Sequence, residues 1–342
     1  MKNLTDITTK GIQVDSPITD RFGRVFNYLR IAVNEYCNLR CIYCMPEEGV
    51  PFQTRDRLLG RKEIYKIIKI MADLGVSKVR FTGGEPLIRK DLIDLIHFAS
   101  KQMNIDSIHL TTNGVLLPEY INRLVEIGLN GINISLDTLN QSKFKKITRR
   151  EGLDKVLEGL YLAIKSGIKS IKENVVAMKD FNDDEILDFV ELTKDNDITV
   201  RFIELMPFDS HQIWKTGKFF RAEKIVKYLQ AYFKELESVT GSSTEHYIFK
   251  IKNYKGKVAV IPSYTRSLCS DCNRIRITAD GKLLNCLYSQ SETNIRDAIR
   301  SGMSDTGIKN LILTAMQKKL KDGWIAQNQG KESRESMTQI GG

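Results

Sequence analysis

The six cysteines of this chain fall in two groups of three: Cys37, Cys41 and Cys44, then Cys269, Cys272 and Cys286. Such grouping in a 342-residue chain points to metal binding rather than to a disulfide framework. The first group has the spacing C-x3-C-x2-C. Three thiolates can hold three irons of a 4Fe–4S cube and leave the fourth open to a chelating ligand. The second group is C-x2-C-x13-C, with two cysteines around a turn and the third beyond a hairpin that turns at Ala279-Asp280-Gly281. A cluster held there would also keep an open iron. Zinc is the alternative, since CxxC with a distant third cysteine also builds zinc ribbons.

Two further features could do chemistry. Arg274 and Arg276 flank Ile275, so on a strand they share one face. Their guanidiniums repel unless an anion sits between them, and a phosphate chain would serve through bidentate hydrogen bonds. The bland alternative is a pair of solvated arginines on an edge strand. The second feature is Gly83-Gly84-Glu85-Pro86. Its glycines let the backbone approach a ligand closely, and a carboxylate beside them suits an ammonium group.

The elements that must position these residues alternate. A strand at 27–34 runs into the first cysteine group. A helix at 61–74 puts Ile64, Ile67, Ile68, Met71 and Leu74 on one face and stops at Gly75. Strands at 77–82, 106–111, 130–135, 170–177 and 198–203 follow, with helices at 90–102, 117–127, 152–166 and 183–195 between them. This is an α/β pattern with a parallel sheet, and the interesting residues stand just after the strands, where parallel barrels place their active sites. Six units are too few for a closed eight-stranded barrel. The expectation is a partial (β/α)6 TIM-type barrel over 18–207, with a C-terminal extension over 208–342. The extension reads as a helix at 222–236, hairpins at 247–262 and 275–286, and helices at 293–301 and 306–320. The polar stretch 327–342 reads as mobile.

Lys and Arg outnumber Asp and Glu by 52 to 42, a formal charge of +10. A nucleotide polyanion or a solvated lysine-rich surface would each account for it. No dense basic run argues for nucleic acid, and no apolar run argues for a membrane span. The N-terminal stretch lacks the apolar core of a secretory signal, so a cytoplasmic location is expected.

The C-x3-C-x2-C spacing, with Tyr43 before the third cysteine and GGEP one strand later, resembles the radical S-adenosylmethionine superfamily. Within it, the chain resembles the GTP 3′,8-cyclases of molybdenum cofactor biosynthesis. The segments that carry this are DRFGR at 20–24, LRIAV at 29–33, RFTGGEPLIRKD at 80–91, LTTNG at 110–114 and ISLDTL at 134–139. RFIELMP at 201–207, CSDCNRIRITADGKLLNCL at 269–287 and the terminal Gly341-Gly342 complete it.

The resemblance implies two 4Fe–4S clusters. Cys37, Cys41 and Cys44 would hold the one that cleaves S-adenosylmethionine, with Tyr43, Gly84, Ser135 and Met206 at that cofactor. Cys269, Cys272 and Cys286 would hold the other, facing the guanine. Arg30, Arg80, Thr111, Lys172, Arg274 and Arg276 would bind GTP, with Arg30, Arg274 and Arg276 catalytic. The implied reaction removes hydrogen from ribose C3′ and joins that carbon to C8 of guanine. The double-glycine end would enter the active site. The implied partners are GTP, an electron donor such as flavodoxin or ferredoxin, and a downstream cyclic pyranopterin monophosphate synthase. A homodimer is compatible with the family. The chain departs from the family at Asn34-Glu35-Tyr36 and at Ile340, positions not expected to touch cluster or substrate. The rivals are a radical peptide maturase, which would carry more cysteines, and a basic zinc-binding nucleic-acid module.

Overall fold

The computed structural model describes residues 17–206, 218–240, 247–265, 269–289, 291–328 and 336–341. The first part of the chain alternates as expected: β1 (Tyr28–Ala32), α1 (Arg61–Asp73), β2 (Lys78–Thr82), α2 (Leu92–Ser100), β3 (Ser107–Thr112), α3 (Leu117–Glu126), β4 (Gly131–Ser135), α4 (Gln141–Thr148), α5 (Leu153–Lys165), β5 (Ser170–Ala177), α6 (Ile186–Asp195) and β6 (Thr199–Glu204). Then come α7 (Ala222–Tyr232), β7 (Leu236–Ser238), β8 (Tyr247–Ile251), β9 (Lys257–Ile261), β10 (Arg274–Ile277), β11 (Lys282–Leu284), β12 (Thr293–Asn294), α8 (Ile295–Arg300), α9 (Asp305–Gln317) and α10 (Gly323–Asn328).

All twelve strands form one open sheet in the order β12-β11-β10-β1-β2-β3-β4-β5-β6-β9-β8-β7. Strands β1 to β6 are parallel neighbours, which is the partial barrel. The two hairpins do more than hang from it. Strand β10 pairs parallel with β1, and β9 pairs parallel with β6, so each hairpin extends one edge of the barrel wall. Strands from both segments of the sequence reading therefore share one sheet.

Strand period explains the two faces. Leu29, Ile31, Val79, Phe81, Leu110, Ile132, Ile134, Val200 and Phe202 point outward, are fully buried, and belong to one hydrophobic core with helix residues such as Ile64, Ile67, Ile68 and Met71 of α1. Most of the alternate residues that line the cavity are polar: Tyr28, Arg30, Lys78, Arg80, Asn133, Lys172, Asn174, Arg201, Arg274 and Arg276, with Val176, Ile203 and Ile261 the apolar ones. A barrel whose lumen were a packed core would carry branched apolar residues there.

The structure departs from the sequence reading at three places. Helix α4 has no strong apolar period, with only Phe144, Ile147 and Thr148 buried. It starts because the Asn140 side chain accepts hydrogen bonds from the Ser142 and Lys143 amides. Helix α7 stops at Tyr232, since 236–238 pairs with β8 instead. Within the stretch read as mobile, Ser336, Thr338, Gln339 and Ile340 are buried, because they dock on the cysteine loop described below. Among the described residues no helix is long and apolar enough to cross a membrane.

Glu204 shows how the extension is tied to the barrel. It ends β6 and is 1% exposed. Its Oε1 accepts the Ala222 amide at the start of α7 (2.8 Å), and its Oε2 accepts the amides of Tyr264 (2.9 Å) and Thr265 (3.0 Å). Replacement by Gln puts an N–H donor where N–H donors already point. Glu204→Gln should lower stability by about 1–3 kcal/mol in denaturant unfolding; a variant of unchanged midpoint would show that these bonds do not anchor the extension.

Candidate active site

One cavity of about 380 Å³ lies inside the barrel wall. All six cysteines line it. So do Tyr43, Gly84, Ser135 and Met206, and so do Arg30, Arg80, Thr111, Lys172, Arg274 and Arg276. The cysteines and the residues assigned to S-adenosylmethionine and GTP by resemblance thus reach the same space.

The first triad sits on the loop after β1, which continues to pair with the turn after β2. Gly84 N donates to Asn34 O (3.0 Å), and Glu85 N donates to Tyr36 O (2.7 Å). This close approach is why Gly84 must lack a side chain: a Cβ there would stand 2.2 Å from the Tyr36 carbonyl oxygen. The departures at 34–36 therefore matter through their backbone. The far side of the loop rests on the C-terminal end of α4. Arg40 N and Ile42 N donate to the carbonyls of Thr148 and Ile147, both at 2.9 Å. Arg149, in the left-handed region at φ 55°, donates to the carbonyls of Arg40 (3.1 Å) and Met45 (3.0 Å).

Side chains that the sequence reading left without roles surround this loop. Asn113, from the LTTNG segment, points its Nδ2 at Cys37 Sγ (3.7 Å). Asp137, from ISLDTL, accepts the Tyr43 hydroxyl (2.8 Å) and the Val176 amide (2.8 Å). The expectation for Glu85 needs correcting. Its carboxylate accepts the Leu87 amide (3.0 Å), the Thr112 hydroxyl (2.8 Å) and the Asn113 amide (2.7 Å), and it does not line the cavity. It braces the loop instead of meeting an ammonium group.

The second triad is held from two sides. Gly323 N donates to Cys269 Sγ (3.4 Å). Arg24 forms an ion pair with Asp20 (2.7 Å) and donates to the carbonyls of Cys269 (2.7 Å), Leu320 (2.8 Å) and Lys321 (3.0 Å). That is the physical content of the DRFGR segment: its last arginine clasps the cysteine turn to the chain that follows α9.

The same cavity is lined with positive charge. Register puts Arg276, Arg30 and Arg80 side by side across β10, β1 and β2, and Arg274, Tyr28 and Lys78 one pleat below. Burial, together with the charge of Arg276, pulls Arg30 well below its usual pKa. Burial and Arg274 bring Arg276 down to about 10. Arg80 donates to the Tyr28 hydroxyl (2.5 Å) and to Thr111 Oγ1 (3.2 Å). Despite its burial, Tyr28 is drawn to about 7 by Arg80, Arg30 and Lys78. The buried Asn133 Oδ1 has no hydrogen-bond partner among the described residues. Arg30 reaches the Gly341 carbonyl (3.3 Å), as does the Thr82 hydroxyl (3.0 Å), so the chain's end enters this space. Gly342 lies outside the described residues.

The donor set fits iron. Burial, with Glu85, raises the Cys37 thiol to about 11, and burial, with Cys44 and Asp137, raises Cys41 well above its ordinary value. Thiolates in such a place need a bound cation. Among the described residues no three His, Cys, Asp or Glu are gathered to hold a single metal ion, so the fit rests on this donor chemistry and its enclosure.

Comparison with known proteins agrees with the geometry. Residues 31–193 match the radical SAM superfamily, and 198–324 match the family described as Molybdenum Cofactor Synthesis C. The chain is 45% identical to the GTP 3′,8-cyclase of Chlorobaculum tepidum, covering 95% of this chain and 97% of the relative. It belongs to the GTP 3′,8-cyclase family. A second member, from Peptoclostridium acidaminophilum, is 42% identical over 96% of this chain and 99% of its own. The mitochondrial GTP 3′,8-cyclase of Arabidopsis thaliana is 40% identical over 96% and 85%. In fold, the chain is similar to Streptococcus suis SuiB bound to S-adenosylmethionine, with a TM-score of 0.56, 16% identity, and 84% of this chain and 68% of that one covered. Membership of the radical SAM superfamily brings S-adenosylmethionine and an iron–sulfur cluster.

Two outcomes follow. Gly84→Ala should force the cysteine loop away from its turn and lower the iron taken up on anaerobic reconstitution; full iron content would mean the close approach is dispensable. The second concerns pH. Burial raises the Glu85 carboxyl from 4.5 to about 7 against three hydrogen bonds that favour the ionised form. The folded iron-free chain then binds this proton more tightly than the unfolded chain. Stability present below pH 4.5 is lost as pH rises towards 7, by on the order of 3 kcal/mol. Asp137 and Glu173, also raised by burial, add the same sign. Glu85→Gln should be less stable overall but show a shallower fall over this range; an unaltered slope would contradict the assignment.

Proposed function

We propose that this chain is a GTP 3′,8-cyclase, converting GTP to (8S)-3′,8-cyclo-7,8-dihydroguanosine 5′-triphosphate in the first step of molybdopterin biosynthesis. The observation that carries this is the single cavity into which two cysteine triads and a row of arginines all open. In this reading Cys37, Cys41 and Cys44 hold one 4Fe–4S cluster, and Cys269, Cys272 and Cys286 hold a second. When bound, the first cluster and S-adenosylmethionine supply a carbon radical able to take hydrogen from the ribose.

The chain's own residues do the rest. Tyr43, fixed by Asp137, stands in the wall with Gly84, Ser135 and Met206, where the S-adenosylmethionine would lie. Met206 is held by the Tyr288 hydroxyl (3.3 Å). Arg30, Arg80, Arg274, Arg276 and Lys172 neutralise the triphosphate, and Thr111, bonded to Arg80, keeps that guanidinium in register. Crowded like charges become favourable once an anion lies between them, the more so in a site of low dielectric. Arg30, Arg274 and Arg276 are the catalytic residues in this reading, because they hold the nucleotide between the triads. The barrel segment 18–207 supplies the S-adenosylmethionine side, and 208–342 supplies most of the second triad's side. The buried tail helps exclude water, which protects a reactive radical. A reduced flavodoxin or ferredoxin would supply electrons in the cytoplasm, and cyclic pyranopterin monophosphate synthase would consume the product.

Anaerobic incubation with GTP, S-adenosylmethionine and a reductant should give 5′-deoxyadenosine only when GTP is present. Cys41→Ala should abolish it, and surviving turnover would refute the role of the first triad. Arg274→Ala with Arg276→Ala should weaken GTP binding at least about tenfold without loss of the first triad's iron. Unchanged affinity would remove the triphosphate assignment.

A further inference from the structure

Lys319 is a cavity cation for which neither the sequence motifs nor the nucleotide reading provides a use. It follows α9, is 3% exposed, and lines the cavity. Its Nζ donates to the carbonyl of Asn285, the residue before Cys286, and stands 5.3 Å from the centre of the Phe26 ring. The surrounding backbone is fixed. Lys319 N donates to Met316 O (3.0 Å), Asn285 Nδ2 donates to Ala315 O (3.0 Å), and Arg24 grips the carbonyls of Leu320 and Lys321. Among the described residues no carboxylate pairs with this ammonium group.

A carbonyl and an aromatic face offset only part of the cost of burying an ammonium group. The remaining compensation must come from what fills the cavity on this side. The cavity on this side is lined by the thiols of the second triad and by Asp322, which forms no ion pair with Lys319 among the described residues. Cys269, Cys272 and Cys286 line the same cavity as Lys319, and the carbonyl that its Nζ binds belongs to the residue directly before Cys286. Arg274 stands on β10 and shares a face with Arg276, whereas Lys319 approaches from the helix side through the backbone that carries Cys286.

We propose that Lys319 is the fixed countercharge of the second thiolate site, a positioning residue that stabilises the more negative, reduced state of an iron–sulfur cluster held there. This rests on the two-cluster reading above. Adding an electron makes a cluster more negative by one charge, and a buried ammonium beside its ligands favours that form.

The test uses the full chain with Cys37, Cys41 and Cys44 replaced by alanine, so that iron reports only on the second site. Redox titration is followed by electron paramagnetic resonance, with and without Lys319→Met or Lys319→Arg. Lys319→Met should move the midpoint to lower potential, and Lys319→Arg should leave it near the parent value. Loss of iron from the Met variant with retention in the Arg variant would equally support a charge requirement. An unchanged midpoint in Lys319→Met overturns the proposal. So does an equal shift, or an equal loss of iron, in both variants, since that marks packing instead of charge. A parent that takes up no iron would overturn the two-cluster reading itself.

Discussion

Like charges stand face to face on the inner side of this sheet. Arg276, Arg30 and Arg80 occupy one row across three adjacent strands, and Arg274 and Lys78 lie one pleat away with Tyr28 between them. Cross-strand neighbours of the same sign repel, and burial removes the water that would screen them. The parallel register allows no other arrangement, because a strand residue cannot turn to the other face without taking its neighbours along. The outer face is filled with Leu, Ile, Val and Phe, so the arginines must face inward. Everything else in the lumen is compatible with that strain: a phenol drawn towards ionisation, a terminal carbonyl brought to Arg30, and two sets of thiols able to carry negative charge.

The cysteines sit in unlike electrostatic settings, and burial raises the Cys269 thiol of the second triad as well. Around Cys37 and Cys41 the carboxylates Glu85 and Asp137, together with burial, disfavour thiolate, so the site depends on bound iron for its charge. Around Cys272 arginine and lysine favour thiolate before any metal arrives. The arginine row at β10, β1 and β2 lines the same cavity as both triads.

The barrel was legible because its strands and helices carry clean periods and because each strand ends in a short polar motif. Arg274 and Arg276 were legible as a pair from strand spacing alone. That β10 would pair parallel with β1, and so set Arg276 beside Arg30, was not, since long-range register leaves no mark in a local window. Helix α4 was missed for want of an apolar stripe, yet its C-terminal end carries the backbone of the first cysteine loop. Glu85 was misread because sequence shows a carboxylate beside glycines but not the amides of Leu87 and Asn113 that claim it. The tail was misread because Ser336–Gly341 is polar, and its burial depends on partners nearly 300 residues away: Ser336 Oγ donates to Cys44 O (2.9 Å), and Gly341 O accepts from Thr82. Lys319 gave no signal among its lysine neighbours.

The central claim is spatial: a nucleotide held by the arginine row has its ribose towards the first triad and its base towards the second. Turnover of GTP carrying deuterium at ribose C3′ tests this directly. The account predicts that the label appears in 5′-deoxyadenosine by mass spectrometry. Unlabelled 5′-deoxyadenosine formed at the normal rate, with deuterium retained in the nucleotide, would contradict it.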